Sequence, residues 1–171
     1  MNAARFKPLP FPSQIGLIAA LASTALMAGA LYFQYVDKLP PCDLCHWQRY
    51  PHLASIALGL AAVASLRSPR LAYVFGLAAV AALFITAGIG VFHVGVEQHW
   101  WQGPQACSGQ IPSGLSPAEL KKYLFSAKMV RCDQAAWSMW GISMAGWNAI
   151  LSGGVAILLS LSVGRYLKEH P

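Results

Sequence analysis

Long uncharged stretches dominate the pattern of polar and apolar positions along the chain. A helix needs about 20 apolar residues, with a range of roughly 17–25, to cross the hydrocarbon core of a bilayer. Four uncharged stretches reach that range. Their apolar content predicts membrane-spanning helices over residues 13–36, 50–66, 71–96 and 138–164.

Two of these predictions depend on detail at the ends of the stretches. The second stretch carries Pro51 and His52 near its start, so it spans a bilayer only if its first turn begins at the interface near Tyr50. The first stretch has the alternative of a cleavable signal peptide, with small residues at 28–30 as the cleavage site. Because the apolar run continues through Phe33, we favour an uncleaved anchor.

A fifth uncharged stretch, residues 98–118, is predicted to be a loop rather than a span. It is rich in Gln, Pro, Gly and Ser, and irregular backbone facing lipid would leave polar groups without partners. Within the same region Ser116, Pro117 and Glu119 match a helix N-terminus with a capping box. Leu120 and Leu124 then follow at helical spacing, which predicts a short amphipathic helix on the membrane surface.

Charge is scarce, which excludes several classes of protein. Only 11% of residues are charged, against about 25% in ordinary soluble domains. The net charge of +6 comes from widely spaced Lys and Arg residues, so a nucleic-acid-binding face is not expected. The predicted fold class is an all-α membrane protein: a four-transmembrane-helix bundle with two outward loops.

The spacing of basic residues predicts which side of the membrane each loop faces. The side with both termini and residues 67–70 carries its basic residues at higher density than the other side. Basic residues in short segments near span ends favour the cytoplasm. We therefore expect cytoplasmic termini and outward loops over residues 37–49 and 97–137.

All four cysteines, Cys42, Cys45, Cys107 and Cys132, fall in these two outward loops. Cysteines used as small apolar residues would favour the buried spans instead. Their position indicates an oxidising compartment, where disulfides persist. Cys42 and Cys45 form a C-x-x-C motif, a spacing that suits a reversible disulfide and often lowers the pKa of a thiol.

Three ionisable residues stand close to these cysteines or at the same membrane face. Arg49 follows Cys45 by four residues, so the two share a helix face if the helix has begun by Cys45; otherwise Arg49 is an interfacial anchor. His93 and Glu97 lie at the outer end of the third span. Ionisable groups at that depth are functional candidates, although both residues would also suit a wet interface.

Three interpretations of the cysteines remain open on residue types alone. The first is a redox relay between a pair near the membrane and a pair on the longer loop. The second is covalent haem, because Cys42, Cys45 and His46 satisfy C-x-x-C-H, although this leaves Cys107 and Cys132 unexplained. The third is a pair of static disulfides. A zinc site is disfavoured by the long separation in the second pair, and no metal is predicted.

The sequence resembles the disulfide bond formation protein B family, DsbB and the related DsbI branch. The resemblance is carried by residues 41–49, Pro-Cys-Asp-Leu-Cys-His-Trp-Gln-Arg, placed after one span and before three more. Residues 90–97, 100–104 and 132–138 support it, and it covers about residues 15–165. His46 departs from the family pattern, in which an apolar or aromatic residue is expected. Vitamin K epoxide reductase-like enzymes have comparable helices, but their C-x-x-C belongs to a late span.

The resemblance implies a thiol:quinone oxidoreductase of the bacterial inner membrane, with its cysteine loops in the periplasm. It implies a soluble, DsbA-like thioredoxin-fold oxidase as partner and ubiquinone or menaquinone as electron acceptor. By position, the partner would attack Cys107, and Cys132 would leave and engage Cys42. Cys45 would then be the thiolate that meets the quinone and Arg49 would stabilise it. His93 and Glu97 would lie close to the quinone head group.

Overall fold

Four long helices and one short hairpin make up the part of the chain that the computed structural model describes, residues 9–104, 116–119, 121 and 130–170. The helices are α1 (Phe11–Tyr35), α2 (Asp43–Ala64), α3 (Pro69–Glu97) and α4 (Met144–Glu169). The hairpin pairs β1 (Ser138–Met139) with β2 (Ile142–Ser143) in antiparallel register. The predicted all-helical character is thus confirmed apart from this hairpin.

Three of the helices, α1, α3 and α4, are long and apolar enough to cross a membrane. Large apolar side chains cover their outer faces; Val74 and Leu158, for example, are 60% and 65% exposed. Apolar residues that face outward along a whole helix are expected where the surroundings are lipid. The protein is therefore a multi-pass membrane protein. Polar side chains near the start of α2 set this helix apart from the other three.

Close packing of small residues joins α1 to α2. A Cβ atom at Gly59 would collide with the backbone oxygen of Gly16 on α1, so only glycine fits at this crossing. Small residues let helices in a membrane approach closely. Ser13 on α1 also donates a hydrogen bond to the carbonyl oxygen of Ala62, 3.2 Å away. Helix α2 packs in turn against α3, where Ser55 donates to the carbonyl oxygen of Ala79 at 3.1 Å.

Helix α2 begins earlier than the predicted start of the second span at residue 50. Cys42 is its N-cap: the backbone is extended there, and the Cys42 sulfur accepts a hydrogen bond from the Cys45 amide at 3.2 Å. Asp43 in the first turn adds a negative charge, which is favourable at a helix N-terminus. The helix then continues through Pro51. Residues 43–49 of the predicted first loop are thus helical.

Helix α4 begins later than the predicted start of the fourth span at residue 138. Residues 138–143 form the hairpin instead, and its turn places Trp140 and Gly141 at φ values of 53° and 78°. Positive φ at both central residues is the requirement of a tight hairpin turn. Ser143 then caps α4 by accepting a hydrogen bond from the Gly146 amide at 3.1 Å.

The predicted capping box is present at residues 116–119. Glu119 accepts hydrogen bonds from the amide and hydroxyl of Ser116, at 2.9 and 2.6 Å. Pro117, Ala118 and Glu119 are helical. The apolar positions predicted for this surface helix, Leu120 and Leu124, lie outside the described residues.

Candidate active site

The α2 thiol pair, Cys42 and Cys45, sits at the N-terminus of α2. Both are free thiols, and their sulfur atoms lie 2.6 Å apart. A disulfide requires about 2.05 Å, so a small movement suffices to close one. Cys42 is 5% exposed and Cys45 is half-buried. The close apposition of the two sulfurs is the geometry that a reversible redox pair requires.

The two thiols differ in acidity. The hydrogen bond with Cys42 lowers the pKa of Cys45, against the opposing effect of burial. The same hydrogen bond, together with burial, raises the pKa of Cys42. Cys45 is therefore the more acidic of the two thiols, and Cys42 holds its proton more firmly. Both residues precede the apolar part of α2, at the end of the helix that carries the loop.

Arg49 lies one helical turn beyond Cys45, as expected if the helix has begun by that residue. Its positive charge also lowers the pKa of Cys45. The guanidinium group donates a hydrogen bond to Oε1 of Gln34 on α1, 2.5 Å away. This contact holds the charge between α1 and α2, on the same side as the thiolate.

His93 and Glu97 lie one turn apart on α3, facing the thiol pair. Nε2 of His93 is 3.6 Å from the Cys42 sulfur and 3.8 Å from Oε1 of Glu97. The side chains of His93 and Glu97 are only 4% and 6% exposed. Both predicted candidates therefore belong to the same buried site, and neither is a solvated interfacial residue.

Cys132 reaches this site from the second loop. It is fully buried and packs against Cys42, Leu44 and Val96. It is disulfide-bonded, and its backbone forms a hydrogen bond with His93. The fourth cysteine, Cys107, lies outside the described residues. The structure thus brings a cysteine of the long loop into contact with the α2 thiol pair.

A cavity of about 530 Å³ opens beside these groups. Its lining is largely apolar, and the polar side chains include Arg49, Glu97 and Asn148. Pockets for small molecules typically have about 300–1,000 Å³ and a few convergent polar groups in an apolar wall. Trp137 and Trp140 also line this cavity. The cavity has the size and polarity for a hydrophobic ring system with polar substituents.

His46 does not contribute to this cavity. Its side chain is exposed, and it is absent from the cavity lining. The C-x-x-C-H string is therefore not assembled around a pocket that would enclose a haem. A different trio brings possible metal-donor atoms together: those of Cys42, Cys45 and His93 lie within 4.8 Å of one another.

Gln48 and His52 lie beside the site, although no role was predicted for either residue from the sequence. Gln48 lies between His93 and Asn148, within 2.8 and 2.6 Å of them. Asn148 in turn donates hydrogen bonds to Gln48 on α2 and to Thr86 on α3. Gln48 lies within residues 41–49, which carry the family resemblance, but its residue type and spacing alone indicate no role.

Comparisons with known proteins show which family the chain resembles. A family model described as disulfide bond formation protein DsbB matches residues 12–162. Disulfide bond formation protein B of Stutzerimonas stutzeri is 34% identical over 160 residues, which are 88% of this chain and 93% of that protein. The protein of the same description from Verminephrobacter eiseniae is 32% identical over 162 residues, 90% of this chain and 87% of that protein. Uncharacterized protein RP370 of Rickettsia prowazekii is 27% identical over 149 residues, 86% of this chain and 85% of that protein. No solved structure matches the chain.

Proposed function

The chain belongs to the disulfide bond formation protein DsbB family, and on that premise we propose that it is a membrane thiol:quinone oxidoreductase. Its substrate is the dithiol form of a soluble, DsbA-like thioredoxin-fold oxidase, and its electron acceptor is ubiquinone or menaquinone. The net reaction converts one dithiol and one quinone into one disulfide and one quinol. The observation that carries the proposal is the asymmetric α2 thiol pair beside an apolar cavity.

The positions of the cysteines support a relay of disulfide exchanges. A thiolate of the partner attacks Cys107 of a Cys107–Cys132 disulfide, and the Cys132 sulfur leaves with the electron pair. Cys132 then attacks Cys42 of the oxidised pair, and Cys45 is released as a thiolate. Burial of Cys132 against Cys42 supports this second exchange, because the attacking and attacked sulfurs belong to neighbouring residues.

Cys45 returns the pair to its oxidised state. The second thiol of the partner attacks the partner–Cys107 disulfide, which releases the partner as a disulfide and Cys107 as a thiolate. Cys107 then attacks Cys132, re-forms the Cys107–Cys132 bond and releases the Cys42 thiolate. Cys42 and Cys45 give two electrons to quinone and close their disulfide. As co-substrate, quinone takes up the two electrons and two protons and leaves as quinol. The lowered pKa of Cys45 supports its role, because the thiolate is the reactive form of cysteine.

Arg49, His93 and Glu97 surround the place where quinone would bind. Arg49 and Glu97 line the cavity, and so does His93. A guanidinium group close to the thiolate also stabilises negative charge on a quinone oxygen, because hydrogen bonds to charged groups are stronger than neutral ones. The apolar wall from α1 suits the ring and the start of an isoprenoid tail.

We further propose that α2 is the fourth span, with cytoplasmic termini and periplasmic cysteine loops in the bacterial inner membrane. Helix α2 packs between α1 and α3, and a short turn at residues 65–68 joins it to α3. The contact between Gln34 and Arg49 places the end of α1 beside the start of α2. Both cysteine-bearing segments therefore lie at one end of the bundle.

A reconstituted turnover assay tests the proposal. The purified chain in detergent is mixed with a reduced DsbA-like oxidase and either ubiquinone or menaquinone, and quinol and partner disulfide are measured together. We expect equal amounts of the two products, and no quinol from Cys45→Ser. The matched control is His46→Ala, which should keep full turnover because His46 lies outside the cavity. Full turnover by Cys45→Ser would refute the relay, and loss of turnover in His46→Ala would return attention to haem.

A further inference from the structure

Buried side-chain hydrogen bonds link α2, α3 and α4 next to the α2 thiol pair. Gln48 on α2 lies 2.8 Å from Nδ1 of His93 on α3. Asn148 on α4 donates to Oε1 of Gln48 at 2.6 Å, and Nε2 of His52 lies 2.9 Å from Oδ1 of Asn148. Gln48, His52 and His93 are at most 7% exposed. Of these four residues, only His93 touches the redox sulfurs.

Neighbouring groups fix the direction of each hydrogen bond at Gln48. Its Nε2 atom lies 3.3 Å from the carbonyl oxygen of Leu44. A backbone carbonyl only accepts, so the NH₂ end of the Gln48 side chain must be on that side. The same NH₂ group is the one next to His93, and it therefore donates to Nδ1 of His93.

Asn148 is oriented in the same way by Thr86. The Thr86 hydroxyl donates its proton to the carbonyl oxygen of Gln48 at 2.9 Å. It can only accept from Asn148, whose Nδ2 atom is 3.1 Å away. The NH₂ group of Asn148 therefore faces Thr86 and Gln48, and its oxygen faces His52, whose Nε2 must donate. Two backbone carbonyls on α2 thus determine both amide orientations.

These hydrogen bonds determine the tautomer of His93. A neutral imidazole has one N–H donor and one acceptor nitrogen. Because Nδ1 accepts from Gln48, the proton resides on Nε2, the atom that faces the Cys42 sulfur at 3.6 Å. The hydrogen bond from the ring to the Cys132 backbone then uses the same N–H. Glu97 Oε1, 3.8 Å from the same Nε2, favours the same tautomer.

We propose that Gln48 and Asn148 are positioning residues that keep the proton of His93 on Nε2, so that His93 donates to Cys42 and cannot act as a metal ligand. The inference rests on the proposed function for its purpose. A donor at this position stabilises the negative charge that develops on Cys42 whenever its bond to another sulfur breaks. The tautomer of His93 can be measured in the reduced protein without partner or quinone, so its test does not depend on turnover.

The second half of the proposal concerns metal ions. Cys42, Cys45 and His93 offer two thiol sulfurs and an imidazole within 4.8 Å of one another, a donor set that suits Zn²⁺. Zinc would need the lone pair of Nε2, and the proton on Nε2 blocks it. The amide pair would thus protect a reduced dithiol in an oxidising compartment from capture by metal.

Gln48→Glu is the informative substitution, because a carboxylate only accepts. It can still accept from Asn148, but it requires a proton on Nδ1 of His93, which frees Nε2. A carboxylate behind a metal-binding histidine is the arrangement that strengthens such ligands. Asn148→Leu removes one of the two contacts that orient the Gln48 amide and leaves the Leu44 carbonyl, so the Nε2–H tautomer of His93 should lose part of its excess.

Long-range ¹H–¹⁵N spectra of the histidine rings test the tautomer. The full chain is labelled with ¹⁵N-histidine, reduced in detergent without oxygen, and His93 is assigned with His93→Gln. We expect a protonated Nε2 in the unsubstituted chain and a protonated Nδ1 in Gln48→Glu. Ser55→Ala, which removes another buried bond between α2 and α3, should leave the spectrum unchanged. A protonated Nδ1 in the unsubstituted chain, or an unchanged tautomer in Gln48→Glu, would overturn the proposal even if quinone turnover is normal.

Titration of the reduced protein with Zn²⁺ tests the metal consequence. The affinity is measured by competition with a chromophoric chelator. We expect Gln48→Glu to bind Zn²⁺ about 10–100-fold more tightly, the usual effect of such a partner. Adding His93→Gln to Gln48→Glu should remove that gain. A gain that survives loss of His93 would show that added charge alone is responsible, and an unchanged affinity would equally contradict the proposal.

Discussion

The acidity of Cys45 offers a sharp test of how the site works, with Arg49→Gln as the perturbation. Side chains four residues apart on a helix are about 6 Å from each other. With an effective dielectric constant of about 20–40, a unit charge at that distance contributes about 1.4–2.8 kcal/mol. Removing the charge should therefore raise the pKa of Cys45, and the free energy above is the upper range of that destabilisation of the thiolate.

Alkylation of the reduced protein by iodoacetamide as a function of pH measures this change. Only the thiolate reacts, so the lowered pKa of Cys45 means that alkylation persists to lower pH than for an ordinary thiol. In Arg49→Gln the midpoint should move to higher pH, whereas Arg49→Lys should keep most of the effect. Cys42→Ala should move it further, because the bond from Cys42 is the largest cause of the lowered pKa.

Two results would refute this reasoning. If the midpoint in Arg49→Gln equals that of the unsubstituted chain, the guanidinium group does not act on the thiolate. If Arg49→Lys and Arg49→Gln shift it equally, the effect depends on the hydrogen bond to Gln34 and not on charge. Mass spectrometry of the modified peptide assigns the alkylation to Cys45 in each case.

Three further predictions concern packing, polar contacts and the relay. Gly59→Ala should lower the free energy of unfolding by about 1–3 kcal/mol, since its methyl group meets the backbone of α1; Gly29→Ala, in open space, should be neutral in the same thermal melt. Asn148→Leu loses three side-chain hydrogen bonds to α2 and α3. At about 0.6 kcal/mol for each bond in a membrane, the free energy of unfolding should fall by about 2 kcal/mol. Ser55→Ala loses one such bond, so its loss of unfolding free energy should be about a third as large. Equal losses in the two variants would argue against three stabilising hydrogen bonds at Asn148. Cys107→Ser should abolish oxidation of the partner dithiol while small thiols still reduce the α2 disulfide, and normal partner oxidation would exclude this residue as the point of attack.

The apolar stretches predicted α1 and α3 closely, because the thickness of the hydrocarbon core sets the length of a spanning helix. They could not predict the starts of α2 and α4. At α2 a cysteine sulfur takes the place of an oxygen as N-cap, and Cys42 is not a residue type that signals a helix start. At α4 the turn depends on a positive φ at Trp140, which its residue type does not favour.

The sequence predicted the site residues that lie close together along the chain, but not the contacts between residues on different helices. Spacing placed Arg49 near Cys45, and position at a span end suggested His93 and Glu97. The contact between Gln48 and Asn148 joins residues 100 positions apart in the chain, and nothing in either local sequence indicates the other. Which end of an amide donates is also decided by neighbours such as Thr86, so it emerges only from the assembled helices.

The sulfur of Cys42 has two roles: it caps the first turn of α2, and it takes part in disulfide exchange. As a free thiol it accepts from the Cys45 amide, but a sulfur tied into a disulfide is a poorer acceptor. The first turn of α2 should therefore lose this hydrogen bond when the disulfide forms and regain it when the disulfide is reduced. The Cys45 amide should therefore exchange hydrogen for deuterium faster in the oxidised chain than in the reduced chain.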